Sequence, residues 1–277
     1  MLAFLIKYDK ISVMETKTRV KNKRRIELLD EIRGIAVFCM VFYHAYYVMG
    51  DMFGMSGARR LYDFFMPAEP LFAALFIAVC GISCSLSENN LKRSVKILIA
   101  AAAFTFVTCF VMHRLGIYGA EVWFGILHFL GFSVLIYALG KKLFDRINPY
   151  FGLTGCAVLY PFFSGISKGA LGYGEILNIT LPQALYRSDW LMPLGIYSET
   201  FSAADYFPLL PFIFIFFAGV FIGRIIMTKG FPEYSYRKRL PLFGAIGRHA
   251  FIIYVLHFPV IYGILYAAGM LAQMIKK

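Results

Sequence analysis

The chain has 277 residues, of which 60% are apolar, 18% aromatic and only 16% charged, with a mean hydropathy of +0.67. Soluble domains carry charge on about a quarter of their residues, so this composition excludes a water-soluble globular domain and points to a polytopic membrane protein. The 28 Lys and Arg against 16 Asp and Glu leave a net charge of +12. In an apolar chain that excess is first a statement about loop topology, and nucleic acid is not expected as a partner.

The opening MLAFLIKYDK is not a secretory signal, because its apolar run ends at Lys7 and no small-residue cleavage site follows. Met14 begins METKTRVKNKRR, an ordinary basic arm, and offers a second translation start beside Met1. The sequence therefore divides into a basic cytoplasmic arm over 1–25 and one transmembrane domain over 26–277.

A helix crosses a hydrocarbon core of about 30 Å with about 20 apolar residues. Such segments fall at 31–50, 70–88, 95–113, 121–141, 150–166, 207–226 and 249–272, which predicts an all-α bundle of about seven transmembrane helices. The fifth is short and carries Pro161, so a kink or partial insertion is expected there. With the N-terminus inside and the C-terminus outside, alternate loops collect 21 of the 28 basic residues on the cytoplasmic side and 7 on the outer side. This bias supports a multi-pass protein of the plasma membrane with a cytoplasmic N-terminus. The long connection over 167–206 falls outside, where a loop of that length is functional or disordered. The five cysteines, Cys39, Cys80, Cys84, Cys109 and Cys156, lie in apolar runs and have no zinc-ligand spacing, so no metal is expected.

Three histidines interrupt the apolar segments: His44 toward the outer end of the first, His128 in the outer half of the fourth, and His257 midway along the seventh. Intramembrane ionisable residues are costly and mark candidate functional sites. His257 reads equally well as an interhelical hydrogen bond. The topology, derived without reference to them, places His44 and His128 near one face, where Asp205 also falls, so the three are expected to share a pocket. A histidine oriented by a carboxylate suits proton abstraction from a hydroxyl or amine. Toward the opposite face Arg33, Lys92, Arg93, Lys96 and Arg248 form a basic ring, either the ordinary excess of cytoplasmic charge or a clamp for a polyphosphate.

Five blocks in the same order carry a family resemblance: RIELLDEIRGIAVFCMVFYHAYY (25–47), FIAVCGISCSLSENNLKRSVKIL (76–98), WFGILHFLG (123–131), DYFPLLPF (205–212) and GRHAFIIYVLHFP (247–259). The first resembles the LDxxRG entry helix of the transmembrane acyltransferases. The set resembles the bacterial relatives of heparan-α-glucosaminide N-acetyltransferase. The resemblance implies an enzyme that takes an acyl group from acyl-CoA, most simply acetyl-CoA, on the cytoplasmic side and delivers it to a sugar of an envelope glycan outside. It also implies that His44 holds the catalytic polar position, that His128 belongs to the fourth block's motif and that Arg33 and Arg93 are the family's basic positions. The first outer loop, from Met49 to Glu69, lacks the histidine that the lysosomal enzyme places there, which bears on acceptor and mechanism. His44 is then expected to act as general base in a ternary complex or through an acyl-imidazole.

The main alternative from another class is a transporter or permease for an anionic small solute, which would use the same polar residues and basic mouth. A retinal protein is excluded by the absence of a lysine from 249–272, and the basic arm argues against a G-protein-coupled receptor. The sequence leaves the oligomeric state open, a homo-oligomer included.

Overall fold

A computed structural model of the chain describes residues 24–275. Most of the basic arm, both candidate starts, Lys276 and Lys277 lie outside the described residues. The main helices are α1 (Glu27–Tyr47), α2 (Ser56–Phe65), α3 (Glu69–Ser85), α4 (Asn90–Thr105), α5 (Ile126–Arg146), α6 (Pro149–Phe163), α7 (Leu209–Lys229), α8 (Pro241–Arg248) and α9 (Ala250–Ile275). α1 runs on through a wide turn at Val48–Met52, and α4 continues through another at Phe106–Val111 as far as Arg114.

Six helical stretches among the described residues are long and apolar enough to cross a membrane: Glu27–Met52, Ser56–Ser85, Asn90–Arg114, Ile126–Arg146, Leu209–Lys229 and Ala250–Leu271. Their lipid-facing stripes are explicit. Ile99, Phe106 and Phe110 on α4 and its continuation, and Ile252, Leu256, Val260 and Ile264 on α9, are large, apolar and exposed at helical spacing. Such surfaces would be untenable in water and are at home in hydrocarbon. The protein is an all-α polytopic membrane bundle.

The fifth sequence segment folds as α6, with 15 residues. At about 1.5 Å per residue this helix is about 22 Å long, short of the roughly 30 Å core. Its place in the bundle is nonetheless fixed by its neighbours. α5 and α7 run parallel: their starts meet where Ile126 N–H donates to Asp205, and their ends meet where Arg224 of α7 donates to the carbonyls of Phe144 (2.5 Å) and Ile147 (3.0 Å). Two parallel helices need a return path between them, and α6 supplies it, antiparallel to α7.

The long connection after α6 is ordered. It forms a hairpin of β1 (Ala170–Gly172) and β2 (Asn178–Thr180), antiparallel with Leu171 opposite Ile179, followed by short 3-10 turns. Gly172 is required in the first strand: its φ is +133°, and a side chain there would strike the Leu177 carbonyl. Tyr206 closes the loop by donating to the Met192 carbonyl at 2.7 Å.

Without a hydrophobic drive between helices in lipid, close backbone approach holds a bundle together. α3 and α7 meet through Gly81, Gly219 and Gly223, where added side chains would collide with the carbonyls of Phe216 and Ala78 and the hydroxyl of Ser85. α1 and α8 meet in the same way through Gly34 and Gly247. Gly219→Val is therefore expected to push α3 from α7 at a cost of about 1–3 kcal/mol, seen as a lower Tm in detergent. Gly155→Ala, at a position on α6 with open space around it, should not lower Tm.

Candidate active site

The LDxxRG start of α1 builds the floor of the site. All three acidic residues of its first turns are buried and partnered. Glu31 accepts the backbone amides of Arg239 and Leu240 at 2.7 and 2.8 Å, fixing the entry to α8. Asp30 accepts Arg33 at 2.8 Å and Arg25 at 2.5 Å, and Glu27 accepts Arg248 at 3.3 Å. Arg33 also donates to Ser83 on α3 at 2.7 Å. Its guanidinium is thereby held rigid at the base of an opening between helices.

That opening is a cavity of about 720 Å³. All five cations expected from the sequence line it: Arg33, Lys92, Arg93, Lys96 and Arg248. They are not equivalent. Arg93 is directed by the thiols of Cys80 and Cys84, at 3.3 and 3.5 Å, and Arg33 and Arg248 have carboxylate partners. Lys92 and Lys96 stand exposed at the rim, with no carboxylate partner among the described residues. Deeper in, the walls turn apolar at Phe76, Ile97, Leu127 and Leu130, and the cavity ends against Tyr254. The small residues of α3 divide their work: Gly81 and Ser85 face α7, while Ser83 lines the cavity.

On the far side of Tyr254 lies a second cavity, of about 20 Å³, lined by His44, Asp205, His257 and Phe258 among others. Tyr254 belongs to both walls. His44 and His257 meet there, Nδ1 of His44 lying 3.0 Å from Nε2 of His257. With both rings neutral, the hydrogen-bond pattern assigns the two tautomers. His257 Nδ1 lies 2.5 Å from the Tyr254 carbonyl, which only accepts, so that nitrogen carries the proton. Neutral His257 then accepts at Nε2, His44 must donate from Nδ1, and the lone pair of His44 is left on Nε2.

Asp205 reaches this place because two loops zip together. Ala204 N–H donates to the Glu121 carbonyl at 2.8 Å and Phe207 N–H to the Phe124 carbonyl at 3.0 Å. One carboxylate oxygen of Asp205 then accepts the Ile126 amide at the start of α5 (3.1 Å) and the Tyr254 hydroxyl (2.7 Å). Gly125 leaves the room, since a side chain there would overlap the carboxylate. Burial pushes the Asp205 carboxyl above its ordinary pKa, opposed by these two donors.

The structure thus brings His44 and Asp205 together but does not pair them: the group that orients His44 is His257, and the carboxylate holds Tyr254. His128 does not line the small cavity. Thr105 spends its proton on the Val122 carbonyl at 2.7 Å, so His128 donates from Nε2 to the Thr105 oxygen at 3.3 Å. Its Nδ1 is buried without a partner among the described residues, and its ring stacks on Phe124. His257 was visible in the sequence as an intramembrane histidine, whereas Tyr254, a neutral aromatic in an apolar helix, gave no signal. Among the described residues no cluster of His, Cys, Asp and Glu is arranged to hold a metal ion.

No curated protein and no solved structure matches the chain. A family model does: that of heparan-α-glucosaminide N-acetyltransferase, catalytic, which matches residues 25–259. This stretch contains every residue of the basic cavity and of the histidine pocket, and the chain belongs to that family of membrane acetyltransferases.

Proposed function

We propose that the protein transfers an acetyl group from cytoplasmic acetyl-CoA to a sugar of an envelope glycan on the other side of the plasma membrane, with its N-terminus in the cytoplasm. One observation carries the reading: a cavity with five cations at its mouth and apolar walls within ends at the residue that also bounds the His44 pocket. The shape matches the donor. A nucleotide with several phosphates stays at the aqueous rim, where ammonium and guanidinium groups bind it, and only the thin pantetheine arm enters hydrocarbon depth. Arg33 and His44 are eleven positions apart on α1, which is about 16 Å of helix axis. The two ends of the donor then address two ends of one helix.

In this reading Lys92 and Lys96 meet phosphate first, Arg93 and Arg248 follow, and Arg33 marks the foot of the channel. His44 is the general base. Its Nε2 takes the proton of the acceptor's hydroxyl or amine as that heteroatom attacks the thioester carbonyl. The positive charge that develops on His44 is shared with His257, which accepts the Nδ1 proton and keeps the ring in the reactive tautomer. His257 is a positioning residue. His128, bound to Thr105 and stacked on Phe124, shapes the start of α5 beside Asp205 rather than handling the transferred proton.

The test is purified protein in sealed vesicles, with acetyl-CoA on the basic face and glucosamine or solubilised envelope glycan on the other. Thiol release coupled to an acetyl-sized mass increase in the sugar is the expected result. Movement of an anionic solute with no bond broken would replace the enzyme by a carrier. His44→Ala should lower kcat by about 10²–10⁴-fold while the protein still inserts and binds acetyl-CoA, and near-normal turnover would remove the base assignment. Combined Lys92→Ala and Lys96→Ala should raise KM for acetyl-CoA at least several-fold with kcat nearly unchanged, and the effect should fade at high salt.

A further inference from the structure

The basic cavity and the histidine pocket share one lining residue, Tyr254. It is 3% exposed and donates its hydroxyl to Asp205 at 2.7 Å. A thioester arriving from the mouth past Leu127 and Leu130 meets this phenol before it can meet His44. Tyr254 and His257 are three positions apart on α9, so the phenol and the ring that orients His44 share one helical face. The histidine pocket has room for about one water molecule. It cannot hold an acetyl group and an acceptor until Tyr254 moves.

From this geometry we infer that Tyr254 is a catalytic residue with two duties: its ring closes the passage in the resting protein, and its hydroxyl, released from Asp205, donates to the thioester carbonyl oxygen during transfer. The inference rests on the acyltransferase reading above. Asp205 tolerates the loss because it retains the Ile126 amide. α9 can move because it leans mainly on α1 and turns an apolar flank to lipid.

The transfer step then balances. The acceptor heteroatom bonds to the carbonyl carbon and gives its proton to His44 Nε2. The carbonyl electron pair moves to oxygen, where the Tyr254 O–H stabilises it. The C=O re-forms, the C–S bond breaks, and the departing thiolate takes the proton from His44 to leave as free CoA thiol. No oxidant, reductant or further reactant is consumed. In the closed position the same tyrosine keeps pocket water from the thioester.

Two variants separate the duties. Tyr254→Phe keeps the ring and deletes the donor, and should cut kcat for transfer from acetyl-CoA to envelope glycan by about 10²–10³-fold with KM for acetyl-CoA within twofold of wild type. Tyr254→Ala opens the wall, and should release thiol from acetyl-CoA without any acceptor, several-fold faster than wild type. Acetyl-CoA binding measured by calorimetry on both variants establishes that they are folded. Wild-type kcat in Tyr254→Phe, or tight coupling in Tyr254→Ala, would overturn the inference while leaving the transferase reading intact. Absence of any transfer by the wild-type protein would overturn both.

Discussion

One carboxylate oxygen on Asp205 ties together three stretches of chain that are far apart in sequence. It accepts the first free amide of α5, the hydroxyl of Tyr254 on α9, and it is itself delivered by the loop that precedes α7. In a lipid-facing bundle there is little water to take over these hydrogen bonds, so each donor that loses Asp205 has no ready substitute. The position of α9 relative to α5, and with it the wall between the two cavities, depends on this contact. Gly125 is part of the same device, since only a residue without a side chain admits the carboxylate.

Charge is arranged along the bundle axis by the same logic. At the basic face the acidic residues of α1 are spent on structure: Asp30 on two arginines, Glu27 on Arg248 and Glu31 on backbone amides. This leaves the cavity lined by fixed guanidiniums, with two ammonium groups at its rim. Deeper in the bundle the fixed cations give way to two imidazoles and a phenol, with Asp205 as the one carboxylate lining the inner pocket. A donor that is polyanionic at one end and slender and weakly polar at the other fits such a gradient. A small anion of uniform charge gains nothing from the apolar upper half.

Much of the fold was legible in the chain because hydropathy is a local property. Each predicted segment overlaps a helix of the structure, and the ends differ by a few residues where polar side chains such as Glu27 and Asn90 are carried into the helix by partners the pattern does not contain. The short α6 was foreshadowed by Pro161, and its role as the return between two parallel helices became clear from the contacts at both ends of α5 and α7. The five cations were legible as a ring because helix ends on one face of a bundle must be neighbours.

What the sequence determined by itself was the membrane bundle, the gathering of basic residues toward one face and the identity of His44 as an isolated ionisable group in an apolar segment, all of which follow from composition and spacing. What only the tertiary structure decided was pairing. His44 meets His257 across 213 positions of sequence, Asp205 grips Tyr254 instead of an imidazole, and His128 turns to Thr105. Helix rotation and loop zippering choose these partners. They are set by close packing at Gly34, Gly81 and Gly125 and by backbone bonds between 121–124 and 204–207, which no pattern within a single helix encodes.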